Sequence, residues 1–219
     1  MFLTLAGPRA STCPLPFLPS QKFLTIRSQT PDAIALRSSE PNIPGYSLAN
    51  NTKLNTFEDL GQDPDRARCF AGAMSSTSET SLDALAEHFD WPALPPGATV
   101  VDVGGAQVHA SLHLAKRFPT VTSAVQDIAE VINGAQGNLP EALKDRLRLE
   151  AHDMFTPQPL QDLDVDLLRY VLHDWPDKYF VRVIENVVKD MKKGARIVLQ
   201  EHVLAERGTL GMVEEMQER

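Results

Sequence analysis

The sequence predicts an α/β protein built on a parallel sheet. From residue 98 onward, short β-branched runs alternate with segments whose apolar residues recur at helical spacing. The connections between them are short, as in repeated β-α-β units, where each crossover helix returns the chain to a parallel strand. Runs such as Thr99-Val100-Val101-Asp102-Val103 are nearly continuously apolar, the pattern of strands covered on both faces.

The elements follow in order. Residues 99–103 read as the first strand and run into Gly104-Gly105. Residues 109–117 carry Leu112, Leu114 and Ala115 on a helix, 121–126 form a second strand, and a second helix starts at 129–133. Residues 147–151 and 165–172 are the third and fourth strands. The helix beyond has the clearest stripe, with Phe180, Val183, Ile184, Val187, Val188 and Met191 on one face. Lys192 and Lys193 suit its C-terminal dipole, Gly194 supplies the stop, and 196–200 is the fifth strand.

Before this unit, residues 1–45 contain Pro8, Pro14, Pro16, Pro19, Pro31, Pro41 and Pro44 and no sustained period. They are expected to be irregular and partly disordered. Residues 46–95 are expected to be a helical segment. Thr56 caps a short helix carrying Phe57 and Leu60, and Asp63-Pro64 restarts the chain with Ala67, Phe70, Ala71 and Met74 at helical spacing. Residues 80–89 place Leu82, Leu85, Ala86 and Phe89 on one face, and Leu94-Pro95-Pro96-Gly97 leads into the main domain, 96–219.

A length of 219 residues suffices for one well-packed domain with added segments. The formal charge of -8 argues against nucleic acid or an anionic membrane as partner, because phosphate binding needs clustered Lys and Arg. No stretch approaches the roughly 20 apolar residues of a membrane span. Cys13 and Cys69 are far apart and suggest neither a disulfide framework nor a cysteine-rich metal site, so a reducing cytoplasmic setting is expected. The first 31 residues lack acids, a faint transit-peptide character. His109, His113 and His152 have no plausible ligand spacing, and no metal is expected.

The chemistry-bearing residues sit where predicted strands end. In an open α/β sheet those carboxyl ends face the ligand crevice. Gly104 and Gly105 allow a tight turn and close approach of a ligand to the main chain. Asp127 suits two ribose hydroxyls or, equally, a cap on the helix after Ile128. His152-Asp153-Met154-Phe155 joins a carboxylate to apolar groups, which suits an adenine and equally an ordinary turn. His173-Asp174 reads either as a general base with its neighbour or as a helix cap before Pro176. Glu201 stands where it can orient His173, or at a solvated strand end.

Together, Val101-Asp102-Val103-Gly104-Gly105, Val125-Gln126-Asp127, His152-Asp153-Met154-Phe155 and Leu167-Leu168-Arg169…Leu172-His173-Asp174-Trp175 resemble the S-adenosylmethionine-dependent O-methyltransferases of the caffeic-acid type, especially fungal members of secondary-metabolite pathways. The resemblance spans roughly residues 46–210. It implies a Rossmann-like class I methyltransferase sheet with a small helical N-terminal segment. It also implies roles. Gly104 and Gly105 lie under the methionine moiety, Asp127 holds the ribose, Asp153 with Met154 and Phe155 holds the adenine, and Arg169 is a basic residue near the cofactor. His173 deprotonates a hydroxyl of a small aromatic or polyketide-type substrate, Asp174 helps place that substrate, and Glu201 orients His173.

The chain departs from the family in three ways. The family turn reads Asp-x-Gly-Gly-Gly-x-Gly, whereas Ala106 and Val108 stand for the last two glycines. Val108 is β-branched and ill suited to positive φ, so its side chain is expected to enter the cofactor's space and weaken binding. The sequence stops at Arg219, with 213–219 reading as the start of a substrate-lining helix and the last strands of the family sheet absent; an open sheet edge is expected. Residues 1–45 do not read as the family's helical dimerisation domain, which leaves a homodimer without its usual support. The leading expectation is a truncated or divergent O-methyltransferase. The alternatives are a methyltransferase-fold protein that scaffolds a partner or runs other chemistry, and a nicotinamide-dependent oxidoreductase. The missing glycines and the His-Asp-Trp segment count against the last.

Overall fold

The computed structural model describes residues 21–36, 38–67, 69–70, 79–189 and 191–201. Strands β1 (Thr99–Val103), β2 (Thr122–Asp127), β3 (Leu147–Ala151), β4 (Val165–Arg169) and β5 (Arg196–Gln200) form one parallel sheet in the order β3-β2-β1-β4-β5. The order reverses at β1, and the switch between β1 and β4 is where such a sheet opens a crevice. The register aligns the strand ends along one edge, with Val103 opposite Gln126 and Leu168, Asp127 opposite Ala151, and Arg169 opposite Gln200.

Alternation along the strands separates two cores. Val100, Val165 and Leu167 pack with Ala110 and Leu114 of one helix (His109–Arg117), and with Leu82, Leu85 and Trp91. On the other face Val101, Val103, Ala124 and Leu168 meet Val183, Phe180 and Ile184 of the striped helix (Asp177–Lys189). Trp91 is fully buried, donates from Nε1 to the Leu85 carbonyl at 2.9 Å, and meets the Phe89 ring at 4.6 Å. Among the described residues the helices include α1 (Gln21–Ala35), α2 (Gly45–Asn50), α3 (Thr56–Gly61), α4 (Glu79–His88), α5 (His109–Arg117), α6 (Ala129–Ala135) and α7 (Asp177–Lys189).

Several local expectations are corrected. Residues 21–35 form α1 with Pro31 inside it, where irregular chain was expected through 45. Prolines mask a weakly periodic helix in sequence, and packing against α2 supplies the order that the pattern lacks. Residues 1–20, Ala71, Met74 and 213–219 lie outside the described residues. Asn55, not Thr56, caps α3. Its Oδ1 accepts from the Phe57 and Glu58 amides while Glu58 Oε2 accepts from the Asn55 amide, a capping box. β4 stops at Arg169 rather than 172, because Tyr170 turns left-handed (φ 53) and 172–174 close a 3-10 turn. Val171 and Leu172 are apolar because they are buried beneath that turn. Among the described residues β5 pairs only with β4, and Leu199 is 51 % exposed.

Asp166 lies inside β4 between Val101 and Ile197, 1 % exposed, and neither carboxylate oxygen has a hydrogen bond. Burial pushes its pKa up to about 6, and burial does the same to Asp102. The folded protein therefore binds more protons than the unfolded chain between about pH 4 and 6, so these groups lower stability as pH rises through that window. Asp166→Leu is expected to raise unfolding free energy at pH 7.5 by about 2 kcal/mol and to flatten part of the pH dependence. Denaturant unfolding from pH 4 to 7.5 checks this. Equal stability of variant and parent at pH 7.5 would mean that the carboxylate is satisfied after all.

Candidate active site

The crevice begins at the glycine turn. The Gln126 carbonyl accepts from the amides of Gly104 (2.8 Å) and Gly105 (3.2 Å), carrying the sheet ladder one step beyond β1. A Cβ at Gly105 would lie 2.6 Å from Val125 Cγ1 and 2.7 Å from Asp102 Cγ; at Gly104, where φ is +70, it would meet Val171 Cγ2 at 2.8 Å. Both positions thus exclude any larger residue, and the main chain stays bare. Asp102 sits beneath, fully buried, accepting from Ser111 Oγ at 2.8 Å. Ser111 went unnoticed in the sequence, where nothing marks a small polar residue on the inner face of a helix.

Val108 corrects a sequence expectation. It does adopt positive φ (64), as does Ala106 (44). Its side chain does not enter ligand space. It is fully buried with Val125 and Ala135, against Leu149. In the left-handed conformation at the N-cap of α5, the isopropyl group turns into the helix–sheet interface. The backbone strain costs roughly 1–2 kcal/mol, and burying a valine side chain returns about as much or more. Val108→Gly, alone or with Ala106→Gly, is therefore expected to lower stability by about 1 kcal/mol with no gain in cofactor affinity. Unfolding and ligand titration of the variants check both halves. Tighter binding would restore the steric-block expectation.

Asp127 ends β2. Its Oδ1 accepts from the Ile128 amide at 2.8 Å and its Oδ2 from the Ala106 amide at 3.1 Å. It caps the chain entering α6 and ties down the glycine turn at once, and each oxygen keeps acceptor capacity. Burial raises its pKa. The Asp127 carbonyl accepts from the His152 amide at 2.9 Å, which brings the loop after β3 alongside. There Asp153 Oδ1 accepts from the Phe155 amide at 2.9 Å, and Asn186 of α7 donates to the Met154 carbonyl at 3.1 Å. The Phe155 ring meets Trp175 at 4.6 Å and Tyr179 at 5.6 Å, and Phe57 lies 6.1 Å from Trp175. This aromatic wall was not legible in sequence, because its rings come from separate segments.

Arg169 braces the site's floor. Its Nε donates to Gln200 Oε1 at 2.9 Å, a terminal nitrogen donates to Ser81 Oγ at 2.5 Å, and the guanidinium lies 4.6 Å over the Tyr170 ring. Gln200 Nε2 in turn donates to the Ser81 carbonyl at 2.7 Å, so the ends of β4 and β5 are fastened to α4.

His173 sits on the 3-10 turn beyond β4. Its Nδ1 lies 2.6 Å from Glu201 Oε2, while Glu201 Oε1 accepts from the Val171 (3.0 Å) and Leu172 (2.8 Å) amides. One carboxylate thus holds both the turn and the imidazole. A carboxylate only accepts, so in the neutral ring the proton resides on Nδ1 and Nε2 presents its lone pair. Asp174 Oδ1 is 3.5 Å from Nε2, and burial raises the Asp174 pKa. The His173 side chain is 47 % exposed, open to a solute. The sheet thus brings the glycine turn, Asp127, the 153–155 loop, His173 and Glu201 to the ends of neighbouring strands. Among the described residues no group of three or more His, Cys, Asp or Glu could hold a metal ion, and no helix is long and apolar enough to cross a membrane.

A family model described as an O-methyltransferase domain matches residues 35–218. The grayanic acid biosynthesis cluster O-methyltransferase of Cladonia grayi is 43 % identical over 171 residues, 76 % of this chain and 38 % of its own length. The solved structure of the mitomycin 7-O-methyltransferase MmcR superposes with a TM-score of 0.74 at 27 % identity, covering 86 % of this chain and 52 % of that one. A pericyclic reaction enzyme and a LepI complex with SAM each match at 28 % identity and a TM-score of 0.66, over 86 % of this chain and 50 % of theirs. The chain spans about two-fifths of the curated relative's length and about half of the solved ones.

Proposed function

The chain belongs to the O-methyltransferase domain family, and from that premise we propose that it transfers the methyl group of S-adenosylmethionine to a hydroxyl of a small aromatic or polyketide-type secondary metabolite. The observation that carries this reading is the Glu201–His173 pair at 2.6 Å, on the 3-10 turn whose Val171 packs against Gly104 of the glycine turn.

The residues present fit the cofactor. The turn is bare at Gly104 and Gly105, where the methionine moiety would lie, and Asp127 keeps acceptor capacity for a ribose diol. Asp153 would take the adenine amine, with Met154 and Phe155 against the ring, while Arg169 supports the edge from below. When bound, the cofactor supplies an electrophilic methyl group on a sulfonium. His173 Nε2 takes the proton of the acceptor hydroxyl, and the Nδ1–H bond to Glu201 stabilises the resulting imidazolium. Asp174 helps place the acceptor, and the rest of the rate enhancement comes from alignment.

A second reading is a methyltransferase-fold protein running other chemistry. The 28 % likeness to a pericyclic reaction enzyme favours it. The decisive experiment incubates the chain with S-adenosylmethionine and a panel of phenolic and polyketide acceptors, and follows S-adenosylhomocysteine formation together with methylated product. Stoichiometric formation of both supports the proposal. Conversion of an acceptor without S-adenosylhomocysteine supports the second reading.

A further inference from the structure

A pair of buried side-chain amides ties β2 to the loop that follows β3. Gln126, 1 % exposed, donates from Nε2 to Gln158 Oε1 at 2.9 Å, and Gln158, 8 % exposed, donates from Nε2 back to Gln126 Oε1 at 2.9 Å. Part of the remaining capacity is also used. Gln126 Nε2 donates to Glu150 Oε2 at 3.2 Å, and Gln158 Oε1 accepts from the Leu160 amide at 3.2 Å. Two buried amides carry a desolvation cost that only mutual satisfaction offsets, so such a pair fills space less favourably than leucines would. What it adds is a fixed distance and orientation.

The main chain shows what is being fixed. The Gln126 carbonyl accepts from both glycine amides of the turn, and the next residue is Asp127, whose carbonyl accepts from His152. Residues 153–155 lie between that bond and Gln158. Gln126 therefore holds the glycine turn through its backbone and the 153–155 loop through its side chain. We propose that the Gln126–Gln158 amide pair is a positioning element for the nucleoside half of the cofactor, setting the 153–155 loop against Asp127. This rests on the S-adenosylmethionine reading above.

Calorimetric titration of the full chain with S-adenosylhomocysteine and with 5′-methylthioadenosine tests it. Gln158→Met keeps the side-chain length and leaves Gln126 bonded to Glu150. Both ligands share the nucleoside, so both are expected to bind about tenfold more weakly, by the same factor. A folded variant that binds both as the parent does overturns the proposal. So does a loss confined to S-adenosylhomocysteine, which would indicate loosening at the methionine end. If Gln158→Met does not fold, Gln158→Asn decides. It keeps the amide but draws it back by one methylene, so the reciprocal bonds to Gln126 lengthen, a weakening of about threefold is expected and unchanged affinity overturns the proposal. A parent chain that binds neither ligand overturns the cofactor reading and this proposal with it, whereas binding by the parent with unchanged variants overturns this proposal alone.

Discussion

His173→Gln lowers the rate of S-adenosylhomocysteine formation at saturating substrates by about 10²- to 10⁴-fold, the usual contribution of a positioned general base, while cofactor affinity changes little. The same loss is expected of Glu201→Gln, for a different reason. The glutamine carbonyl can still accept from the Val171 and Leu172 amides, so the turn persists. Its amide group, however, presents N–H to Nδ1 where the carboxylate presented a lone pair at 2.6 Å. The ring proton then moves to Nε2, and the atom meant to receive a proton already holds one. Single-turnover assays of both variants, with calorimetry to confirm binding, separate this from misfolding. Near-parental rates in His173→Gln would remove the imidazole from the chemistry and leave alignment as the source of catalysis.

Asp127→Ala weakens S-adenosylhomocysteine binding by about 10²- to 10⁴-fold, because a carboxylate that accepts from both hydroxyls of a ribose diol makes charge-assisted bonds of about 1.5–3 kcal/mol each. The loss has a structural component. The Ile128 and Ala106 amides lose their acceptor, so the glycine turn loosens as well. Asp127→Asn separates the contributions, since its single carbonyl can serve one of those amides but carries no charge for the diol. A large drop in both variants supports ribose binding. Full affinity in Asp127→Asn with reduced thermal stability in Asp127→Ala would assign the residue to capping alone.

Which of these residues can be seen in sequence depends on how local their signal is. The strands and α7 are legible because burial imprints a short-range period: Val100 and Val101 alternate between faces, and Val183 and Val187 recur on one helical stripe. Gly104 and Gly105 are legible because a tight turn tolerates little else, and His173-Asp174 because it ends an apolar run. Pairings across the sheet leave no such trace. Ser81 against Arg169 and Gln158 against Gln126 are each joined across many intervening residues, and Ser111 meets Asp102 only because its helix folds back on the strand. Val108 shows the converse error, since its sequence position marks the ligand turn while its left-handed backbone aims the side chain into the core.

By itself, then, the sequence determined the alternating β-α order, the strand ends at which chemistry gathers, and the family, because these follow from local periodicity and from motifs of a few contiguous residues. Only the tertiary structure decided that Glu201 grips both His173 and its turn, that Arg169 fastens α4 to the strand ends, and that α1 is helical despite Pro31. Those outcomes depend on groups distant in sequence meeting in one register, and that register is set by the packing of the whole sheet and its helices.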